Sequence, residues 1–458
     1  MKEIAMGLCL ALAAMSAQAL DFREAYELAL RHDPTWQAAR SESAAGSHER
    51  ALGRAALLPN LSYRYTRMRN DAEIRQDIPA GATRQDMEYS SYSSGFTLTQ
   101  PLFDAAAFAQ YREGKARAEA AGLTLERARQ ALAVRVLQAY TEALYAEEEV
   151  ALVRAHGRAL QEEAERSRRF VAGGEGTRTD QMEIEAQQRL VEAQLIEAED
   201  RLQDARNALA VLIGHSPAAA LAPLRDAALM QAPDLLPLEQ WRERAVAHNP
   251  ELAAQRSLLE ATRQQRNRQR AGHLPSVRLV ARSQITDSNA ENQVGQRYDT
   301  DSIGVEVQVP LYAGGRVRAA SRQASDALEQ ARHELDGATA ELLNDVERQY
   351  RMTLSSQRRI NAYRQAVAAA EARLDATRRS ILGGERTNLD ALNAEQQHVE
   401  AQRDLARARY DYLLAWLSLR WQAGVLDAGD IERVARAFAQ PMLQGDLGNR
   451  DVLIRMII

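Results

Sequence analysis

Two regions of the chain alternate apolar and polar residues with a period of two, and each is followed by a long run with helical spacing. Near the start, Leu61, Tyr63 and Tyr65 alternate with Ser62, Arg64 and Thr66, while Tyr92, Phe96 and Leu98 stand opposite Ser91, Ser93 and Thr97. The later region is cleaner. Val277, Leu279 and Ala281 alternate with Arg278, Val280 and Arg282; then Ile303, Val305, Val307 and Val309 alternate with Ser302, Gly304, Glu306 and Gln308. Strands with one apolar and one polar face lie between two different media. About ten residues is enough to cross a bilayer as a tilted barrel strand. The spacing predicts strands over about 61–69, 90–100, 277–285 and 302–309, with the polar segments 71–88 and 286–301 as solvent loops.

The two regions are copies. His32-Asp33-Pro34 recurs as His248-Asn249-Pro250, and Leu58-Pro59-Asn60-Leu61 as Leu274-Pro275-Ser276-Val277, both 216 residues later. Gln100-Pro101-Leu102-Phe103 recurs as Val309-Pro310-Leu311-Tyr312, and Gly173-Gly174 before Asp180 as Gly383-Gly384 before Asp390. A duplication of this length means two matching structural units.

Proline is unevenly spread, with none between Pro101 and Pro217 and none between Pro310 and Pro441. Such gaps can hold helices far longer than the usual three turns. The spacing predicts helical hairpins over about 105–213 and 313–423, turning at the Gly-Gly pairs; an arm this long reaches on the order of 100 Å. Leu132, Val136, Ala139 and Ala143 step by a seam pattern, as do Leu389, Leu392, Gln396 and Val399. The resulting organisation is a first repeat over 20–218, a linker over 219–236, a second repeat over 237–426 and a tail over 427–458.

The beginning of the chain has the form of a secretory signal over 1–19: Lys2, an apolar run from Ile4 to Ala14, and Ala17-Gln18-Ala19 as a cleavage site. The only cysteine, Cys9, falls inside it, so the mature chain is expected to lack thiols, and with them disulfides and cysteine chemistry. Aromatic residues make up only 5% of the chain, a composition of long helices rather than ordinary globules. The net charge of -5 mixes both signs and carries no nucleic-acid footprint. The eight histidines show no H-x-x-x-H pair, Gly314-Gly315 is not followed by G-K-[ST], and no Ser/His/Asp set is legible. No metal, cofactor or catalytic site is expected.

Four strands cannot close a membrane barrel, and an open sheet in lipid leaves unpaired edge groups, each costing several kcal/mol. The chain is therefore expected to oligomerise, as an eight-stranded dimer or a twelve-stranded trimer. A polar face carrying Arg64, Arg278, Arg282 and Glu306 favours the wider, water-filled lumen. Tyr63, Tyr65, Tyr92, Phe96, Phe103 and Tyr312 are expected at the lipid boundaries.

Specific stretches resemble the TolC family of outer-membrane export channels. They are Gly272-His273-Leu274-Pro275, Val309-Pro310-Leu311-Tyr312 with Gly314-Gly315, Ile360-Asn361-Ala362-Tyr363-Arg364-Gln365-Ala366, Arg386-Thr387 with Asp390, and Ala406-Arg407-Ala408-Arg409-Tyr410-Asp411-Tyr412-Leu413. The resemblance spans nearly the whole mature chain and is strongest over 238–424. It implies a homotrimer whose twelve strands form an outer-membrane barrel on a periplasmic tunnel of twelve helices that tapers shut at the hairpin turns. It also implies a belt built from 217–237 and the tail. The implied partners are a periplasmic adaptor and an inner-membrane transporter, ABC-type or proton-driven, besides the lipid of the outer membrane. The implied function is export, with type I protein secretion favoured and multidrug efflux the alternative. A soluble periplasmic coiled-coil scaffold is the competing class.

By position, the resemblance maps a charged lock at the tunnel end onto Asp180 and Arg386, and one ring of acids onto Asp390. A second ring position holds Asn393, and a gating tyrosine falls on Ile381, so this chain departs from the best-known member at two points. Independently, three symmetry-related carboxylates around a narrow aqueous neck repel one another and attract cations. The plainer alternative is that these acids cap the return helices.

Overall fold

The computed structural model describes residues 19–438 except 79–80, 175–176, 218–219, 226–234, 289–295 and 384. The expected signal segment lies outside the described residues save for Ala19. In chain order the elements are α1 (Phe22–His32), α2 (Pro34–Ser47), α3 (Glu49–Ala55), β1 (Asn60–Ile78), β2 (Gly81–Phe103), α4 (Ala105–Ala172) and α5 (Arg178–Ile213). The second repeat supplies α6 (Leu238–His248), α7 (Pro250–Arg270), β3 (Ser276–Ser288), β4 (Gln296–Gln308), α8 (Arg316–Leu382) and α9 (Asn388–Gln422), and α10 (Ala428–Ala437) follows. No described helix is long and apolar enough to cross a membrane.

The chain divides into two compact units: one of 1–41, 125–250 and 339–458, the other of 42–124 and 251–338. In the first unit, helices pack along buried seams. Leu132, Val136 and Ala143 of α4 are fully buried, with Leu137 and Tyr140 beside them. The seam on α9 is wetter: Leu392 is buried, but Leu389 is 43% exposed.

This unit also ties the ends of the described chain together. Leu20 bridges Leu221 in parallel, and Leu224 bridges Phe438 antiparallel. The Tyr140 hydroxyl donates to the Leu20 carbonyl at 2.8 Å and accepts from the Ala222 N–H at 3.0 Å. Phe438 sits 5.0 Å from the Tyr140 ring and 6.3 Å from Phe22. The described part of the tail forms the helix α10, closed by an Asp427–Asp430 capping box and burying Ile431 and Val434.

The second unit holds one antiparallel sheet in the order β1-β2-β3-β4. Here the sequence expectation is corrected. Residues 71–78 and 81–88, expected as a loop, continue the β1–β2 ladder to Ile78 opposite Gly81. Likewise β3 reaches Ser288 and β4 begins at Gln296, so much of 286–301 is paired. Charged residues, Asp71, Glu73, Arg75 and Asp77 with Arg84, Asp86 and Glu88, dominate this extension, which is why it reads as a loop in the sequence. Backbone pairing holds it, with cross-strand ion pairs such as Arg69–Glu88 at 2.6 Å and Arg84–Glu73 at 2.7 Å.

Candidate functional site: a two-faced sheet and two helix turns

The register sorts every strand residue onto one of two faces. One row across the sheet reads Leu61, Leu98, Ala281, Ile303, and the next reads Tyr63, Phe96, Ser283, Asp301. Toward the helix end the same face adds Leu279 opposite Val305 and Val277 opposite Val307. These apolar side chains have nothing over them: Ile303 is 76% exposed, and Leu61, Tyr63, Phe96, Val305 and Val307 are all more than half exposed. An uncovered apolar band of this size marks a lipid or protein contact.

The opposite face carries Arg64, Thr66, Arg278, Arg282, Ser302 and Glu306. Arg278 pairs with Glu306 at 3.1 Å and donates to the Gln308 amide at 2.8 Å. The expected division of the four strands into apolar and polar faces is therefore present in the register.

Aromatic residues mark both limits of the apolar band. Away from the helices, Tyr63 packs on Phe96 at 4.9 Å and Tyr65 on Tyr92 at 6.0 Å. At the helix end, Phe103 is exposed and Tyr312 is 88% exposed. From Tyr92 to Phe103 the strand advances about 36 Å, which at a tilt near 40° spans about 28 Å, close to the apolar height of a membrane barrel.

The hairpin turns begin their return helices in the same way. Thr177 caps α5, its hydroxyl accepting from the Asp180 N–H at 3.1 Å. Thr387 caps α9, accepting from the Asp390 N–H at 3.3 Å, and here the box closes: Asp390 Oδ2 accepts from the Thr387 N–H and hydroxyl, both at 3.0 Å. Those bonds, the backbone one foremost, hold the Asp390 carboxyl below the usual carboxylate range, with Arg386 adding to the effect. Arg386 Nη1 lies 3.5 Å from Asp390 Oδ1.

The structure thus brings Arg386, Thr387 and Asp390 together. Asn393 follows on the exposed side of α9. Among the described residues of one chain, Arg386 makes no ion pair with Asp180. Within the single chain Asp390 closes a capping box, whereas Asp180 only donates its N–H to the Thr177 hydroxyl.

Among the buried polar residues that sequence reasoning missed, one is a histidine. His156 of α4 is buried, and its Nε2 has no hydrogen-bond partner. It lines a cavity of about 60 Å³ with Glu149, Gln187, Gln194, Glu400 and Arg403. Burial pushes its pKa below the ordinary imidazole value, opposed by Glu395. A lone histidine inside a helical seam carries no spacing signal that would have flagged it.

Comparison with known proteins matches this architecture to one family, described as outer membrane efflux protein, over residues 25–215 and 241–425. The chain belongs to that family. The two matched stretches follow the internal repeat, so the family pattern itself is duplicated. Among relatives, the chain is 43% identical over 423 residues to the alkaline protease secretion protein AprF of Pseudomonas aeruginosa, covering 92% of this chain and 88% of that one. It is 41% identical to the proteases secretion protein PrtF of Dickeya chrysanthemi, covering 95% of each. With the outer membrane protein TolC of Vibrio cholerae it shares 30% identity over 89% of this chain and 91% of that one.

Solved structures of similar fold include the outer membrane protein VceC of Vibrio cholerae, with TM-score 0.73 and 22% identity over 88% of this chain and 96% of that one. The CmeC channel of Campylobacter jejuni gives 0.76 at 14% identity, covering 91% and 89%. The outer membrane efflux protein family is one of transport channels. The protein is accordingly an outer-membrane channel component with the TolC-like fold.

Proposed function

We propose that three copies of this chain close a twelve-stranded barrel in the outer membrane and export protein cargo, an extracellular protease, by type I secretion. The observation that carries the barrel is the sheet itself: an uncovered apolar face, a charged opposite face and two open edges. The cargo reading is supported by relatives above 40% identity, AprF and PrtF, whose names specify protease secretion. The helical hairpins would dock through their turns with a periplasmic adaptor and an inner-membrane ABC transporter, which supplies the energy. The channel does no covalent chemistry in this reading. The turns carry the gate: Asp180 and Arg386 as latch, Asp390 as the acidic ring, Asn393 as a neutral position beside it.

The direct test is complementation. The full chain is expressed in a host that carries a protease transporter and adaptor but lacks the outer-membrane component. Protease in the medium supports the reading. Protease retained in cells, together with restored resistance to toxic small molecules, replaces it with the efflux reading. Recovery of the protein in the soluble periplasmic fraction would remove the channel altogether.

A further inference from the structure

The two edges of the sheet match each other in one register. We infer that β4 of one copy pairs with β1 of the next so that Tyr65 stands opposite Ile303 of the neighbour, with the charged ends of the strands closing as inter-chain ion pairs. This rests on the oligomeric barrel of the proposed function and specifies how it closes.

Three constraints narrow the register. First, β1 and β4 run antiparallel, since each neighbour in the sheet reverses direction. Second, side chains alternate, so keeping Leu61, Tyr63 and Tyr65 on the apolar side requires odd-numbered β4 residues opposite them. Registers therefore change in steps of two residues.

Third, the apolar band is slanted. On β1 it ends at Tyr65, whereas on β4 it ends at Ile303, which lies on the row of Leu61. The boundary thus drops by four residues, about 13 Å, across three strand spacings of about 4.8 Å. This inclines the strands by roughly 40° to the band, within the range of membrane barrels.

Three registers are compatible with that slope. With Tyr65 opposite Ile303, Leu61 meets Val307 and Tyr63 meets Val305. Beyond them Arg67 meets Asp301, Arg69 meets Asp299, and Asp71 meets Arg297. Apolar residues face apolar residues, and each charge faces its opposite. Sliding one step sets Tyr65 against Asp301 and Arg69 against Arg297. Sliding the other way sets Arg67 against Ile303 and Asp71 against Asp299.

The charges themselves want partners. Among the described residues, Arg67, Asp299, Asp301 and Arg297 have no ion pair within the chain. The favoured register also gives a stagger of four residues per copy, because the row from Leu61 to Ile303 continues to Tyr65 of the neighbour. Three copies give a stagger equal to the strand number, the ratio that tilts barrel strands by about 36°. This is the stagger that the slant of the band requires, since the register sets the two ends of the band side by side.

Cysteine cross-linking tests the register, because the chain's only cysteine is Cys9. On the polar face, Thr66→Cys is combined in turn with Thr300→Cys, Ser302→Cys and Gly304→Cys. On the apolar face, Tyr65→Cys is combined with Asp301→Cys, Ile303→Cys and Val305→Cys. Directly opposed residues approach within disulfide reach, while diagonal ones at about 7 Å do not. One of the two faces carries the closer, non-hydrogen-bonded pairs.

Oxidation in membranes followed by non-reducing electrophoresis should give dimer and trimer bands for Thr66→Cys with Ser302→Cys or Tyr65→Cys with Ile303→Cys. Faster cross-linking to either flanking position overturns the register and leaves the oligomer standing. Absence of any cross-link on both faces overturns the edge contact and the oligomeric barrel together. In the cysteine-free background, Arg67→Asp should weaken the oligomer and adding Asp301→Arg should restore it. Failure of the second change to restore it also counts against this pairing.

Discussion

Thr387 and Asp390 cap each other at the start of α9, and the carboxylate that closes this box is the one that would face cations at the tunnel end. The two roles separate by substitution. Asp390→Asn removes the charge and keeps a good capping side chain, whereas Asp390→Ala removes both. If the carboxylate sets selectivity, both changes reduce the preference for cations in planar bilayers to a similar degree. Unchanged selectivity in Asp390→Asn would assign the residue to capping alone. Arg386→Ser should raise the resting conductance, since it removes the cation proposed as the latch partner of Asp180.

The same cap predicts a pH dependence. Because the folded Asp390 carboxyl titrates below its unfolded value of about 3.9, the contribution of the box is fully present above that value. It is lost as the pH falls through the lower, folded value. The protection factors of the Thr387 and Asp390 amides, exchange rates corrected for their intrinsic pH dependence, should therefore be constant from pH 5 to 8 and fall only below about pH 4. Loss of protection beginning near pH 6 would contradict the assignment.

His156 predicts a loss in the same direction, on acidification, but nearer neutrality. Its folded pKa lies below the unfolded value of about 6.5, so the neutral form is the one the fold accommodates. Above that value it costs nothing. As the pH falls below about 6.5, the unfolded chain takes up a proton that the folded one resists, and stability declines. Thermal unfolding of the detergent-solubilised protein should show this decline, and His156→Gln should flatten it. An identical pH profile in the variant would exclude His156 as its source.

Gly214 and Gly424 close the return helices of the two repeats with positive φ, +86° and +69°. A methyl group on Gly424 would stand 2.4 Å from the Asn249 Cα, and one on Gly214 would stand 2.7 Å from the His32 side chain. The first obstacle is backbone and the second can rotate. Gly424→Ala should therefore destabilise more than Gly214→Ala, by clearly more than the roughly 1 kcal/mol of an unobstructed change at positive φ. Equal melting temperatures for the two variants would refute the difference.

Asp33 and Asn249 hold corresponding places but opposite chemistry. Asp33 is buried, caps Trp36 at 2.8 Å and pairs with Arg135 at 2.7 Å. Asn249 instead donates to the Gln422 carbonyl at 2.8 Å. Arg135→Met leaves a buried carboxylate without its cation and should cost roughly 3 kcal/mol. Adding Asp33→Asn, which copies the second repeat, should recover most of that loss. Additive losses in the double variant would show that the two residues do not act as a pair.

The period-two and seam patterns determined the order of elements, the two faces of each strand, the long helices and the duplication. These depend on which residues follow one another, because a strand or helix repeats its own geometry. The turn acids were also legible by position, as Thr177 with Asp180 and Thr387 with Asp390, though not the closing of one box only. The extended β1–β2 ladder was not legible, since its charged residues look the same in a solvated strand as in a loop. Nor were the burial of His156, the stop of Gly424 against Asn249, or the meeting of Leu20, Ala222 and Phe438 at Tyr140. Those relationships join residues up to hundreds of positions apart, and no local period encodes them. Tertiary packing alone decides which side chains lose their water.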